Sequence, residues 1–129
     1  MKIFEEKLKK KLTKHEYHVL REKGTEFPFT GKLLYSKENG NYKCLVCRNK
    51  LFSSDSKFDS GTGWPSFFKP ISKNSIIEKK VEGIFDETEI LCGKCKSHLG
   101  HVFKDGPKPT GLRYCINSVC LNFKKNIKK

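Results

Sequence analysis

The chain has 129 residues, with 27 lysine and arginine residues against 14 aspartate and glutamate residues, which gives a formal net charge of +13. This length accommodates one domain with a real hydrophobic core and leaves no room for a second. No stretch of the sequence approaches the length of a transmembrane helix, so we expect no membrane partner.

The positive charge is spread along the chain and does not form one stripe. Lysines are concentrated in an N-terminal extension, residues 1–12, and in a basic C-terminal tail, residues 124–129. A strongly basic chain invites a nucleic-acid interpretation, but we favour a lysine-rich solvated surface and expect no nucleic-acid partner. The first residues are charged and lack the apolar run of a secretion signal, which favours a cytoplasmic protein.

The first predicted element is a helix at Thr13–Lys23. Thr13 and Glu16 have the spacing of a capping box, in which each side chain accepts a hydrogen bond from the other residue's free backbone N–H. Gly24 follows the helix and suits the left-handed residue at which helices commonly end.

The rest of the chain alternates short apolar segments with turn residues. The segments that we expect to be strands are Tyr42–Val46, Ile76–Val81, Glu89–Cys92 and Gly111–Asn117. They are rich in β-branched and aromatic residues, and Gly, Asn, Asp and Pro separate them. Short apolar segments separated by turn residues favour antiparallel sheets over alternating βα units. We therefore predict a mainly β fold with short helices.

Four of the six cysteines form two Cys-x-x-Cys pairs, Cys44 with Cys47 and Cys92 with Cys95. Two pairs supply the four thiolates of a closed tetrahedral zinc site, and their wide separation predicts that one structural zinc clamps two distant turns. Iron in the same geometry stays an alternative. Disulfides are a weaker alternative in the absence of a secretion signal. A catalytic Cys-x-x-Cys motif would normally occur once, in a βαβ context.

Two stretches place side chains where binding or catalysis is expected. Trp64, the only tryptophan, follows two turn glycines, which predicts presentation near a surface or cleft. His98 and His101 follow the second cysteine pair. Because four thiolates complete a zinc site, these histidines are available as general acids. The alternative for either histidine is a hydrogen bond to a backbone carbonyl.

The segment Gly111–Ser118 contains the candidate nucleophile. Alternation along a strand places Arg113, Cys115 and Asn117 on one face. A nearby positive charge favours the thiolate form of cysteine, which is the nucleophile. A buried structural cysteine would sit more naturally on the opposite, apolar face. We therefore assign Cys115 as the nucleophile.

Several runs of residues match one known family. They are Arg21-Glu-Lys-Gly-Thr-Glu, Phe29-Thr-Gly, Leu51-Phe-Ser-Ser, Phe58-Asp-Ser-Gly, Gly63-Trp-Pro-Ser-Phe, His98-Leu-Gly-His-Val-Phe and the whole run from Asp105 to Ser118. With both cysteine pairs, they make residues 13–123 a domain that resembles the B-type methionine sulfoxide reductases, or peptide-methionine (R)-S-oxide reductases. The resemblance implies two rolled antiparallel sheets with short peripheral helices and a structural zinc site. It also implies an oxidoreductase that reduces methionine R-sulfoxide during repair after oxidative stress.

Carried over by position, the resemblance implies a thiol-dependent mechanism. Cys115 would attack the sulfoxide sulfur and become a sulfenic acid as methionine leaves. The oxygen must be protonated, and His101 would be the donor, with His98 assisting.

The resemblance also implies roles for three further residues. Arg113 and Asn117 would orient the site and stabilise developing charge, and Trp64 would bind the substrate by packing its indole against the methyl group of the sulfoxide. The implied substrate is methionine R-sulfoxide, either in proteins or free. The implied reductant is thioredoxin or another thiol.

Thr62 departs from the family pattern. Many members carry a resolving cysteine there, which converts the sulfenic acid into a disulfide that thioredoxin reduces. Threonine cannot form a disulfide, so three routes remain: an external thiol attacks the sulfenic acid, Cys120 acts as the resolving cysteine, or a zinc-bound cysteine takes part. Cys120 lies five residues beyond Cys115, and on a regular strand it faces the opposite side. A small buried hydrophobe is the alternative for Cys120, and we favour the external thiol.

Two other classes of function stay open. One is a zinc-stabilised binding module that contacts nucleic acid through its basic surface, with steeply salt-dependent affinity. The other is a folded but inactive member of the family that senses oxidised methionine, for which Thr62 gives slight support. A module that only binds has no evident use for the complete set of candidate catalytic residues, so we favour the reductase.

Overall fold

A computed structural model describes residues 2–81 and 87–125. Two α-helices come first, α1 at Lys2–Lys11 and α2 at Lys14–Arg21. The strands that follow in the described residues are β1 Gly40–Cys44, β2 Lys50–Ser53, β3 Lys57–Phe58, β4 Ser66–Phe67, β5 Ile76–Val81, β6 Glu87–Cys92, β7 His98–Phe103, β8 Arg113–Ile116 and β9 Leu121–Lys125. Short 3₁₀ turns lie at Ser54–Ser56 and Ser118–Cys120.

The strands form two antiparallel sheets. The smaller sheet has the order β2-β1-β9, and the larger has the order β3-β4-β8-β7-β6-β5. The prediction of a mainly β fold with two antiparallel sheets and short helices is therefore confirmed. The predicted strand Ile76–Val81 has the predicted bounds. The other three predicted strands are present with shifted ends.

Aromatic side chains join the two sheets. The ring of Phe52 on β2 stacks on that of Phe67 on β4, with centroids 4.4 Å apart, and Tyr42 on β1 meets Phe67 edge to face at 5.1 Å. All three are fully buried. Val19 and Leu20 of α2 are buried in the same cluster. Burial of each such side chain stabilises the fold by about 1.5–3 kcal/mol, so this core holds both sheets and α2 together.

Helix α2 begins as predicted and ends differently. The Thr13 side chain accepts from the Glu16 N–H, and the Glu16 carboxylate accepts from the Thr13 N–H, which confirms the capping box. The prediction of a left-handed Gly24 is wrong, because Lys23 has the positive φ of 59°. A Cβ at Gly24 would meet the exposed ring of His18, which would have to move aside.

The lysine-rich N-terminal extension forms α1 and packs on the domain. Leu8 is only 6% exposed, and Glu5 pairs with Arg21 of α2. Arg21 also connects α2 to the second cysteine pair, because its guanidinium donates to the Cys95 carbonyl at 3.2 Å. In the basic tail, the first two lysines belong to β9, and residues 126–129 lie outside the described residues. Among the helices that the structure describes, none has the length and apolar character needed to cross a membrane.

Candidate active site and metal centre

A row of polar residues crosses four neighbouring strands of the larger sheet. Cys115 on β8 lies directly opposite His101 on β7. His101 in turn lies opposite Glu89 on β6, and Cys115 lies opposite Ser66 on β4. Directly opposed residues in antiparallel strands point to the same face of the sheet. Strand pairing therefore places a thiol, an imidazole and a carboxylate in one line.

A bulge in β7 brings the second histidine into this neighbourhood. Ile90 and Leu91 are consecutive on β6, but their partners on β7 are Gly100 and His98, so β7 carries one extra residue between them. Residues three apart on a regular strand face opposite sides, and one extra residue restores them to the same side. The rings of His98 and His101 accordingly lie edge to face, with centroids 5.5 Å apart.

The nucleophile assigned from the sequence lies in a cavity of about 250 Å³. The lining residues are Thr25, Thr62, Trp64, Gly100, His101, Phe103, Arg113, Cys115 and Asn117. Arg113, Cys115 and Asn117, for which strand alternation predicted a shared face, all line this cavity. Trp64 and His101 line it as well. His98 and Cys120 are not among the lining residues.

The environment of Cys115 favours the neutral thiol. Burial raises the pKa of Cys115. Two neighbours act in the opposite direction: the hydroxyl of Thr62, whose Oγ1 lies 3.9 Å from Sγ, and the charge of Arg113. The expected effect of Arg113 is therefore present, but burial is the larger influence on this pKa.

Arg113 is held in place by two neighbours. Its guanidinium donates to both carboxylate oxygens of Asp105, at 2.9 and 3.1 Å, and lies 4.4 Å from the ring centroid of Phe103. The hydrogen bonds from Arg113 lower the pKa of Asp105. A bidentate pair and an aromatic face fix the planar guanidinium at the cavity wall.

His98 forms a buried pair with Glu89, a residue that sequence reasoning missed. His98 Nδ1 lies 2.7 Å from Glu89 Oε2, and both side chains are 4% exposed or less. Lys23 Nζ lies 3.5 Å from the other carboxylate oxygen. Burial, together with the neighbouring His101 and Lys23, lowers the pKa of His98 by more than Glu89 raises it, so the neutral imidazole donates from Nδ1 to the carboxylate. His98 Nε2 is buried without a hydrogen-bond partner among the described residues.

A second buried carboxylate that sequence reasoning missed, Glu26, connects two cavity residues. Its backbone carbonyl accepts from the indole N–H of Trp64 at 3.0 Å, and its N–H donates to the amide oxygen of Asn117 at 3.1 Å. Its carboxylate accepts from the backbone N–H groups of Ser118 and Val119, each at 2.9 Å. Glu26 is 3% exposed. It therefore sets the relative positions of Trp64 and Asn117.

Cys120 lies in a different environment from Cys115. It is fully buried, its Sγ donates to the carbonyl of His98 at 3.3 Å, and burial raises its pKa well above the ordinary value. A buried neutral thiol with a backbone partner fits the alternative that the sequence left open for Cys120, that of a small core residue.

The two cysteine pairs meet as predicted. The Sγ atoms of Cys44, Cys47, Cys92 and Cys95 all lie within 4.8 Å of one another. Two of the sulfur–sulfur distances are 3.6 Å, for Cys44 with Cys95, and 3.5 Å, for Cys47 with Cys92. Tetrahedral metal–sulfur bonds of about 2.3 Å require sulfur atoms about 3.8 Å apart. The four cysteines can therefore hold one metal ion.

Matching turns present the two pairs. Arg48 and Lys96 each follow a pair, with φ of 62° and 63°, and their N–H groups donate to the carbonyls of Cys44 and Cys92 at 2.8 and 2.9 Å. Burial raises the pKa of Cys47 to about 11. Metals bind the deprotonated thiolate, so an ion at this site would have to displace the proton from Cys47.

Comparison with known proteins identifies the family. The model of the SelR domain family matches residues 12–125. Three similar proteins, each named peptide methionine sulfoxide reductase MsrB, come from Methanosarcina barkeri, Methanosarcina mazei and Leptospira interrogans. They are 60, 57 and 53% identical to this chain over 93, 94 and 94% of its length, and the matches cover 85, 87 and 93% of those proteins. The chain therefore belongs to the SelR domain family, together with these MsrB proteins.

Proposed function

We propose that this protein is a peptide-methionine (R)-S-oxide reductase that repairs oxidised methionine, in proteins or as the free amino acid. Residues 13–123 would form the catalytic domain, between the N-terminal extension and the basic tail. One observation carries the proposal: Cys115 lies opposite His101 in a cavity that also contains Trp64, Arg113 and Asn117. The names of the MsrB relatives agree with it.

In the proposed reaction, Cys115 Sγ attacks the sulfoxide sulfur and a bond forms between the two sulfur atoms. The oxygen then passes from the substrate sulfur to Sγ as the S–O bond to methionine and the bond between the two sulfurs break, so that methionine leaves and Cys115 becomes a sulfenic acid. The proton that the thiol loses is the one that the oxygen gains, so the step balances without a further acid. His101, opposite Cys115, would carry this proton, and His98 would assist from beside it. Such positioned proton transfer typically contributes about 10²–10⁴-fold in rate.

The remaining cavity residues would hold the substrate. The indole of Trp64 would contact the methyl group of the sulfoxide, and its N–H is already engaged by Glu26, which fixes the ring plane. Arg113 would stabilise negative charge on the oxygen as the S–O bond breaks. Asn117 would orient the site, since its side-chain amide donates to the Leu99 carbonyl at 3.0 Å.

An external thiol, such as thioredoxin or another reductant, would regenerate the enzyme. The sulfenic acid on Cys115 and two external thiols would give the Cys115 thiol, a disulfide and water. The hydroxyl of Thr62 occupies the place beside Cys115 and offers no sulfur. The burial of Cys120 and its bond to His98 weigh against its role as resolving cysteine.

We propose that the four-cysteine site binds one structural zinc ion. The four closely spaced sulfur donors fit zinc and exclude an open coordination position for catalysis. Zinc would tie the turn after β1 to the turn after β6, and so fix the start of β7 with its histidines. A cytoplasmic location agrees with this proposal, because the site requires reduced thiols.

An epimer-specific assay tests the function. Purified protein with dithiothreitol should convert N-acetyl-methionine R-sulfoxide to N-acetyl-methionine and leave the S epimer unreacted. Cys115→Ser should abolish turnover, whereas Cys120→Ala, if folded, should retain it. Equal rates for Cys115→Ser and the unmodified protein would contradict the proposal, as would the absence of turnover with either epimer.

A further inference from the structure

Two exposed aromatic residues lie two positions apart in the segment between α2 and β1. Phe27 is 81% exposed and Phe29 is 60% exposed. In the described parts of the chain, only Tyr35 and Ile71 are also large hydrophobic residues with this degree of exposure. Single exposed apolar side chains are ordinary, but here two largely exposed phenyl rings occur within three consecutive residues.

The backbone around these rings is bonded to the wall of the cavity. The Phe29 N–H donates to the Gly63 carbonyl at 2.7 Å. A Cβ on Gly63 would lie 3.0 Å from Cδ2 of Phe29, so this ring covers the residue between Thr62 and Trp64, which both line the cavity. Phe27 directly follows Glu26, whose carbonyl holds the indole of Trp64. Phe29 therefore lies against the chain between two lining residues, and Phe27 comes two residues after a third lining residue, Thr25.

Phe29 also has an unusual backbone conformation. Its φ is 66°, in the left-handed region, which costs a residue with a side chain free energy that glycine avoids. Burial of the ring does not offset this cost, since most of the ring stays in solvent. Backbone strain of this kind is concentrated at functional sites.

We propose that Phe27 and Phe29 form a docking surface for apolar side chains that flank methionine sulfoxide in a polypeptide substrate. This inference rests on the proposed function and makes it more specific, because it names a flexible polypeptide segment with apolar neighbours as the preferred substrate. A free amino acid ends inside a cavity of about 250 Å³. A polypeptide extends out of the cavity, and residues 25–29, which contribute Thr25 to the cavity lining and carry both phenyl rings, offer it exposed apolar area.

The test compares three substrates of the R epimer: N-acetyl-methionine sulfoxide N-methylamide, a pentapeptide with leucine on both sides of the sulfoxide, and the same peptide with serine in place of leucine. The unmodified protein should show a kcat/KM about tenfold higher for the leucine peptide than for the serine peptide, the ratio expected when two apolar contacts are gained. The double variant Phe27→Ser/Phe29→Asn should lose most of this ratio. Asparagine is chosen at position 29 because it tolerates positive φ.

Tyr35→Ser is the matched control, since Tyr35 is 68% exposed and does not line this cavity. It should keep the leucine-to-serine ratio. A ratio near one in the unmodified protein would overturn the docking surface even if the double variant did not fold, and so would an unchanged ratio in a folded double variant. Reduction of the small amide without a peptide preference would overturn this inference alone. No reduction of any sulfoxide would overturn the proposed function as well.

Discussion

Thr62 Oγ1 lies 3.9 Å from Cys115 Sγ, and both residues line the same cavity. The same hydroxyl is 2.7 Å from Ser60 Oγ, which is 2.7 Å from Ser66 Oγ. A chain of hydroxyl groups therefore stands where a second thiol would have to stand to form a disulfide with Cys115. This relationship has direct consequences for how the enzyme is regenerated.

Thr62→Cys should introduce an internal disulfide step. A thiol at this position would lie within reach of the Cys115 sulfenic acid and would displace water from it. We expect two thiols to be lost for each methionine formed, instead of one, in the absence of external reductant. Thiol titration after a single turnover measures this. Thr62→Ser is the control and should still lose one thiol.

The reactivity of Cys115 should depend on pH and on Arg113. Because burial raises the pKa of this thiol, we expect its alkylation by iodoacetamide to accelerate up to and beyond pH 9. Arg113→Ala removes an influence that lowers the pKa, so alkylation at pH 8 should slow by about three- to tenfold, whereas Arg113→Lys should lie between. Mass spectrometry of the Cys115 peptide gives the rates. Faster alkylation of Arg113→Ala would contradict the proposed electrostatics.

Acidification should destabilise the protein through His98. Its pKa in the folded state is lowered by burial, so the unfolded chain binds a proton near pH 6.5 and the folded protein binds it only at lower pH. The unfolded state then holds more protons, and the free energy of unfolding falls as the pH drops below about 6.5, by at most about 1.4 kcal/mol per pH unit from this group. Urea titrations at pH 7.5 and 5.5 should show a smaller loss in His98→Gln. Equal losses in both proteins would refute this origin.

Glu89 should contribute to stability much more than an exposed glutamate. Glu89→Ala leaves the buried Nδ1 of His98 without its acceptor, and we expect the free energy of unfolding to fall by about 1–3 kcal/mol. Glu78→Ala changes an exposed residue of the neighbouring strand β5 and should have little effect. Urea unfolding of both variants at pH 7.5 measures the difference, and similar values would show that the Glu89–His98 pair is unimportant for stability.

The structure and the sequence agree best where the reasoning was local. Alternation along β8 correctly placed Arg113, Cys115 and Asn117 on one cavity wall, and the capping-box spacing correctly placed the start of α2. Gly24 was misassigned because the left-handed residue lies one position earlier, at Lys23, and the N–H of Gly24 donates to the His18 carbonyl at 2.9 Å.

The residues that the sequence did not reveal depend on contacts between distant segments. Glu89 meets His98 only through strand pairing and the bulge in β7, and Glu26 meets Asn117 across 91 residues of chain. One signal was available for Glu89: it is the charged first residue of the predicted strand Glu89–Cys92, and such a residue is either solvated or paired in the core. Deciding between these alternatives required the tertiary structure.

Removal of the metal should loosen the domain. If one zinc ion binds the four cysteines, elemental analysis should find one zinc per chain, and iron in its place would correct the identity of the metal. Cys92→Ser should release the ion and lower the midpoint of thermal unfolding markedly, because metal binding and folding are coupled. A variant without bound metal that unfolds at the unchanged temperature would contradict a structural role.

In the proposed mechanism Cys115 is the only cysteine that the substrate oxidises, and a single turnover tests this most directly. Reduced, metal-loaded protein is mixed with excess methionine R-sulfoxide without external reductant, and methionine and free thiols are counted per chain. We expect about one methionine and one lost thiol, with a sulfenic acid on Cys115 that dimedone captures. Two lost thiols would mean an internal disulfide through Cys120 or a metal-binding cysteine, and no methionine would contradict the reductase itself.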